Sequence, residues 1–248
     1  MLNYLLGYPN LKVYQDDSMF KFSIDSVLLP NFVTLSKKKG KVLDIGCGNG
    51  VIPIVLTTRT SNHIDGVEIQ KDVYELAKRS VEYNKLEDQI TIYNEDIKEF
   101  SKNSETDIYD TITCNPPYFK DMKQNDDLHK AYARHEESLN VEEVMVIAKK
   151  LLKNNGNIAI VHRTERLIDI ISAMKDNNIE PKKIQFVYSK KDKPSNILLI
   201  EGTKNGKPGV KIMEPLYLHN IDHTYTEQLK KYLNNYIINW KVKCPKRT

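Results

Sequence analysis

The chain has 248 residues, 40% hydrophobic and 28% charged, the balance of a soluble globular protein long enough for one sizeable core. Three distant cysteines, Cys47, Cys114 and Cys244, give neither a disulfide framework nor a zinc spacing, and no long apolar window or basic leader near Met1 suggests a membrane or export role. The reading is a cytoplasmic protein, monomeric, without a metal. The net charge of +4 is unevenly spread: residues 149–248 carry 20 Lys+Arg against 9 Asp+Glu, the preceding part 17 against 24, which suits a polyanionic partner at the basic part.

In chain order, residues 12–22 (KVYQDDSMFKF) predict a short extended or hairpin segment, and residues 22–33 a helix. Lys41 to Ile45 form a short buried strand, broken by GCGNG, and the apolar run Val51 to Leu56 is a helix. A strand follows near Ile64 to Val67. The next helix, Lys71 to Tyr83, has Val73, Leu76, Ala77, Ser80 and Val81 on one face, and ITIYN over 90–94 is a strand. The strand over 107–114 ends at a Pro-Pro corner, and 120–130 is a polar loop. A helix over 141–152 is stopped by Asn154-Asn155-Gly156. Strand 157–162, helix 165–175 and strands 183–188 and 196–202 complete the core. This alternation predicts a mostly parallel α/β sheet, and the short link between the last two strands makes that pair antiparallel. Residues 225–240 place Tyr225, Leu229, Tyr232, Leu233, Tyr236, Ile237 and Trp240 at helical spacing, an amphipathic helix that packs on its own domain or meets a partner. The chain reads as one domain: a covering segment over 1–39, a core over 40–220, and a terminal helix and basic tail over 221–248.

The turn Asp44-Ile45-Gly46-Cys47-Gly48-Asn49-Gly50 lies between a strand and a helix, where glycines let the backbone approach a ligand. Glu68, with Ile69 after it, ends the next strand, so a carboxylate is placed to accept from both hydroxyls of a ribose. Asp44 inside the turn would repel a pyrophosphate and suits an amino group. That chemistry points to S-adenosylmethionine, and VLDIGCGNG resembles the first motif of the Rossmann-like methyltransferase superfamily. The resemblance implies a class I fold with a mostly parallel seven-stranded sheet flanked by helices. It also implies Asp96 near the cofactor's adenine amino group, with Ile97 beside it; the bland alternative is that these acids cap helices.

Asn115-Pro116-Pro117-Tyr118-Phe119 resembles the motif of amino-group methyltransferases. An exocyclic aromatic amine is a poor nucleophile and must be held in line with its hydrogens drawn toward acceptors. The Asn115 carboxamide oxygen and the Pro116 carbonyl supply two, the prolines fix their direction, and Tyr118 offers a stacking surface with Phe119 next to it. Adenine N6, cytosine N4 and glutamine amide all present such a group. With 40 residues ahead of the first core strand, no separate helical domain of the glutamine-modifying kind is expected.

Over residues 8–220 the chain resembles bacterial methyltransferases acting on adenine N6 in the anticodon loop of valine tRNA. Gln15-Asp16, residues 20–26, NPPYF, Ala133 to Glu136, SNILLIEG over 195–202, Lys204 and Glu214 to Leu216 carry this likeness. It implies that Phe22, Ser23 and Asp25 close over the cofactor and that Arg134 and His135 line the substrate side. Lys190 and Lys191 belong to the basic surplus expected to meet tRNA phosphates. The alternatives are a DNA adenine-N6 methyltransferase, a protein glutamine methyltransferase and a non-catalytic RNA-binding protein.

Overall fold

The computed structural model describes residues 1–16, 23–116 and 139–233. The polar loop over 120–130, the end of the terminal helix and the basic tail lie outside them. The chain opens with a hairpin, β1 (Leu2–Leu5) and β2 (Tyr8–Tyr14), turned at Gly7 with φ of 81°. The extended segment expected over 12–22 therefore begins and turns earlier. Tyr14 pairs with Leu2 in an antiparallel pair that folds back at the glycine, and residues 17–22 lie outside the described residues. Helix α1 (Asp25–Phe32) follows, buried along its whole length and containing Pro30.

The central sheet is built from β3 (Lys41–Ile45), β4 (His63–Glu68), β5 (Ile90–Asn94), β6 (Tyr109–Cys114), β7 (Leu152–Arg163), β8 (Ile179–Tyr188) and β9 (Ser195–Lys204). Their order is β8-β9-β7-β6-β3-β4-β5, and two-residue strands β10 (Lys211–Ile212) and β11 (Leu216–Tyr217) add to the outer side of β8. Strands β3 to β7 are parallel, while β9 runs antiparallel to both β7 and β8. The mostly parallel sheet with a late antiparallel pair is thus observed.

Helices α2 (Val51–Leu56), α3 (Lys71–Tyr83), α4 (Ile97–Asn103), α5 (Val141–Leu151) and α6 (Leu167–Asp176) connect the strands. Because both faces are covered, β3 is buried from Val42 to Ile45, on both of its faces. Val42 packs with Ile64, α1, α2 and the hairpin, while Leu43 and Ile45 pack with Ile112, α4, α5 and α6. Asp44, two residues from Val42, points to the α1/α2 face. Helix α5 buries Val141, Val144, Met145, Ile147, Ala148 and Leu151, each of these side chains larger than alanine contributing about 1.5–3 kcal/mol. Asn140 and Glu143 close a capping box at its start.

Several elements differ from expectation; β8 begins at Ile179 rather than at 183, and α6 at Leu167 rather than at 165. Helix α4 is absent from the sequence reading, and β6 starts at Tyr109 rather than at 107. Asn154-Asn155-Gly156 does not simply separate helix from strand. Tyr109 pairs with Leu152 and Thr111 with Asn157, so these residues form a bulge inside β7, with Asn155 at φ of 62°. The terminal helix begins at 227, and Leu229 and Leu233 are buried against the core, so its described part packs on the protein itself.

Candidate active site

The chain passes from β3 to β4 on one side and returns through β6 on the other. Between β3 and β6 the strand order reverses, and in open α/β sheets that crevice at the carboxyl edge binds ligands. The sheet brings the ends of β3, β4, β5 and β6 to one edge, and with them Asp44, the glycine turn, Glu68, Asp96 and Asn115.

Parallel pairing sets Asp44 opposite Thr113, whose hydroxyl donates to Asp44 Oδ1 at 2.6 Å. Asp44 is fully buried, and its Oδ2 has no hydrogen-bond partner among the described residues. Burial raises its carboxyl to about 8, with the Thr113 bond opposing and nearby Glu68 adding to the rise. A buried carboxyl oxygen facing no donor is a place for a cationic or hydrogen-bearing group.

Glu68, 6% exposed, has the opposite character. Gly48 N–H donates to Oε2 at 3.0 Å and Gln70 N–H to Oε1 at 2.9 Å. The turn is further tied to β4 by Cys47 N–H on the Val67 carbonyl at 3.0 Å, and to β2 by Asn49 Nδ2 on the Tyr14 carbonyl at 3.1 Å. Gly46 and Gly48 have φ of 65° and 56°, and a Cβ at either would meet nothing within 4 Å, so both backbones face open space. Cys47 and Cys114 are buried, their thiols held neutral by burial first and by the neighbouring carboxylates second.

Asp96 is the N-cap of α4, its Oδ1 accepting from Lys98 N–H at 2.8 Å. The helix-cap reading therefore holds for one of its oxygens. Ile97 is buried under it and Ile69 is exposed at the end of β4. Ser23 and Asp25 lie at the start of α1. Asp25 is buried and its carboxyl raised by desolvation, with Ser23 and Arg163 opposing. Asn115 Nδ2 donates to Ser26 Oγ at 3.2 Å, and Pro116 is buried beside it. Reading the sequence alone missed Ser26, Thr113 and Gly48's bond to Glu68. Phe22, Pro117, Tyr118, Phe119, Arg134 and His135 lie outside the described residues. Lys190 and Lys191 sit in the β8–β9 turn, at the same sheet edge but three strands from β6, with Lys190 Nζ donating to the Ile221 carbonyl at 3.1 Å.

Residues 13–177, from the hairpin through α6, match the model of the methyltransferase small domain family. The chain belongs to that family. Among curated relatives, this methyltransferase-family chain is 28% identical over 230 residues to a Parabacteroides distasonis protein named tRNA1(Val) (adenine(37)-N6)-methyltransferase, covering 92% of this chain and 95% of the relative. A protein of the same name from Flavobacterium johnsoniae is also 28% identical, over 90% of this chain and 95% of its own length. Among solved structures, a predicted O-methyltransferase from Agrobacterium tumefaciens superposes with a TM-score of 0.68 at 18% identity, covering 86% of this chain and 96% of that one. The geranyl diphosphate C-methyltransferase of Streptomyces coelicolor, solved with S-adenosyl-L-homocysteine, gives 0.50 at 12% identity over 68% and 76%. These structural likenesses establish the fold, which is that of the methyltransferases. Among the described residues no helix is long and apolar enough to cross a membrane.

Proposed function

We propose that this methyltransferase-family chain uses S-adenosylmethionine to methylate the exocyclic N6 of an adenine in tRNA, next to the anticodon of valine tRNA. The observation that carries the cofactor is the pairing of a buried Asp44 oxygen, unpartnered among the described residues, with the Gly48–Glu68 clasp across one open turn. Asp44 would receive the amino group, Glu68 the ribose hydroxyls, and Asp96, with Ile69 and Ile97 flanking, the adenine. Ser23 and Asp25, with Phe22, would cover it. When bound, the cofactor supplies an electrophilic methyl group on a sulfonium.

The protein's own part is to hold the acceptor. Asn115 follows β6 directly, next in chain to Cys114, which pairs with Ile45 at the start of the glycine turn. Its Oδ1 and the Pro116 carbonyl would accept the two hydrogens of the amine, localising the nitrogen lone pair toward the methyl group. Pro117 would fix the corner, and Tyr118 and Phe119 would stack on an unpaired base. No general base is needed before transfer, because positive charge passes from sulfur to nitrogen and the proton leaves afterwards. Arg134, His135, Lys190 and Lys191 would meet the RNA.

The choice of tRNA adenine rests on the names of the relatives together with the basic surplus after residue 148. An unpaired loop adenine also needs no base pair broken to reach the clamp. The test is methyl transfer from labelled S-adenosylmethionine to total RNA, DNA and protein in parallel. Label in tRNA is expected; label confined to DNA or protein overturns the substrate assignment.

A further inference from the structure

Three buried side-chain atoms around the β3–β6 crevice have no hydrogen-bond partner among the described residues: Asp44 Oδ2, Asp25 Oδ1 and Gln15 Nε2. The first two belong to carboxyl groups. The third is the amino end of a carboxamide, the one uncharged donor of the set. Gln15 is 8% exposed, and a polar atom both buried and unpaired is unfavourable unless something else binds it.

Its place follows from its neighbours. Asn49 Nδ2 in the glycine turn donates to the Tyr14 carbonyl at 3.1 Å, so Gln15 stands beside that turn. Asn115 Nδ2, after β6, donates to Ser26 Oγ at 3.2 Å, so Asp25 stands at the other side of the crevice. The hairpin does not need the Gln15 amino end. Its backbone N–H donates to the Met1 carbonyl at 2.8 Å, its carbonyl accepts from the Met1 amino group, and Tyr14 N–H donates to Ser80 Oγ at 2.9 Å.

Asn3 Nδ2 donates to Gln15 Oε1 at 2.8 Å, which engages one end of the carboxamide. Asn3 is itself a carboxamide and can accept as well as donate, so this contact does not choose which end is left for a ligand. The charges of an amino-acid group do. Its ammonium is matched by Asp44, and its carboxylate needs a donor, which neither Asp44 nor Asp25 supplies when ionised. We infer that Gln15 binds the methionyl carboxylate of S-adenosylmethionine through Nε2, with Asn3 holding Oε1. The inference deepens the proposed cofactor reading and rests on it.

The test is calorimetric binding of three ligands: S-adenosylmethionine, its decarboxylated form, and 5′-methylthioadenosine, which lacks the whole amino-acid end. Each is titrated into wild type, Gln15→Met and Gln15→Glu, with melting temperatures recorded. Methionine keeps the length without the donor. Glutamate keeps an oxygen for Asn3 and puts an acceptor where the donor was. Gln15→Met should weaken S-adenosylmethionine about tenfold and Gln15→Glu more, as expected for a hydrogen bond to a charged group. Both variants should hold the two truncated ligands within about twofold of wild type. Equal losses for all three ligands, an unchanged affinity for S-adenosylmethionine in both variants, or Gln15→Glu binding it as tightly as wild type each overturns the inference. The last result would put the carboxamide oxygen, not the nitrogen, toward the ligand. Should a variant fail to fold, wild type alone decides: it should bind the decarboxylated form about tenfold more weakly than S-adenosylmethionine, and equal affinity overturns the assignment. A wild type that binds none of the three overturns the cofactor reading beneath it, whereas binding by wild type with unimpaired variants overturns the inference alone.

Discussion

Replacing Asp44 by Asn removes a titration that the fold forces into the neutral range. Asp44 is fully buried, with one oxygen bonded to Thr113 and the other unpartnered among the described residues, and its carboxyl is raised from 3.8 to about 8. In the unfolded chain the group is ionised above pH 4; in the folded, ligand-free protein it keeps its proton up to about 8. The folded state therefore binds more protons across that window. Stability from this group is full below the unfolded value and falls as pH rises toward the folded one. The slope is about 1.36 kcal/mol per pH unit, so the whole window amounts to something on the order of 5 kcal/mol. Asparagine keeps the shape and accepts from Thr113 without titrating. Urea unfolding of wild type and Asp44→Asn at half-unit steps from pH 5 to 8 should show the wild type losing ground steadily relative to the variant. Calorimetry at pH 7 in buffers of different ionisation enthalpy should show about one proton released as S-adenosylmethionine binds, because an ammonium against Asp44 requires the carboxylate. A stability difference flat across this range, with no proton release, would refute the assignment of Asp44 as a buried acid waiting for a cation.

Asn115→Ala should lose nearly all single-turnover methylation while binding S-adenosylmethionine with near-normal affinity by calorimetry, since the proposed role of its carboxamide is to hold the acceptor. Gly48→Ala should cost about 1–2 kcal/mol in urea unfolding, because φ of 56° is left-handed, and should weaken cofactor binding at least tenfold because the new methyl enters open space facing the ligand. Lys190→Ala with Lys191→Ala should weaken tRNA binding without changing cofactor affinity, and should reduce the slope of log affinity against log salt by about 1 for each phosphate no longer neutralised.

The core strands are legible in the sequence because buried strands leave short runs of aliphatic residues, as in Ile158 to Val161 of β7. Helix α3 is legible because its apolar residues recur on one face, and its limits match Lys71–Tyr83. Helix α4 is not, since Ile97 and Phe100 are too few to show a period among charged neighbours. The bulge in β7 reads as a stop because Asn-Asn-Gly supports a positive φ in either setting, and only pairing with β6 tells them apart. At the site, the residues proposed to face the ligand are visible as local motifs at strand ends. The bonds between them are not: Thr113 reaches Asp44 through strand register, and Ser26 reaches Asn115 through the packing of α1. Neither separation leaves a mark on the sequence.

The tRNA assignment meets its most direct test in mass spectrometry of nucleosides from purified valine tRNA and from genomic DNA, taken from cells with and without the gene. N6-methyladenosine should be present in valine tRNA from cells carrying the gene and missing when it is deleted, with the DNA unchanged. If the tRNA nucleoside persists in the deletion while the N6-methyl mark disappears from DNA, the clamp serves a different adenine and the tRNA assignment is wrong.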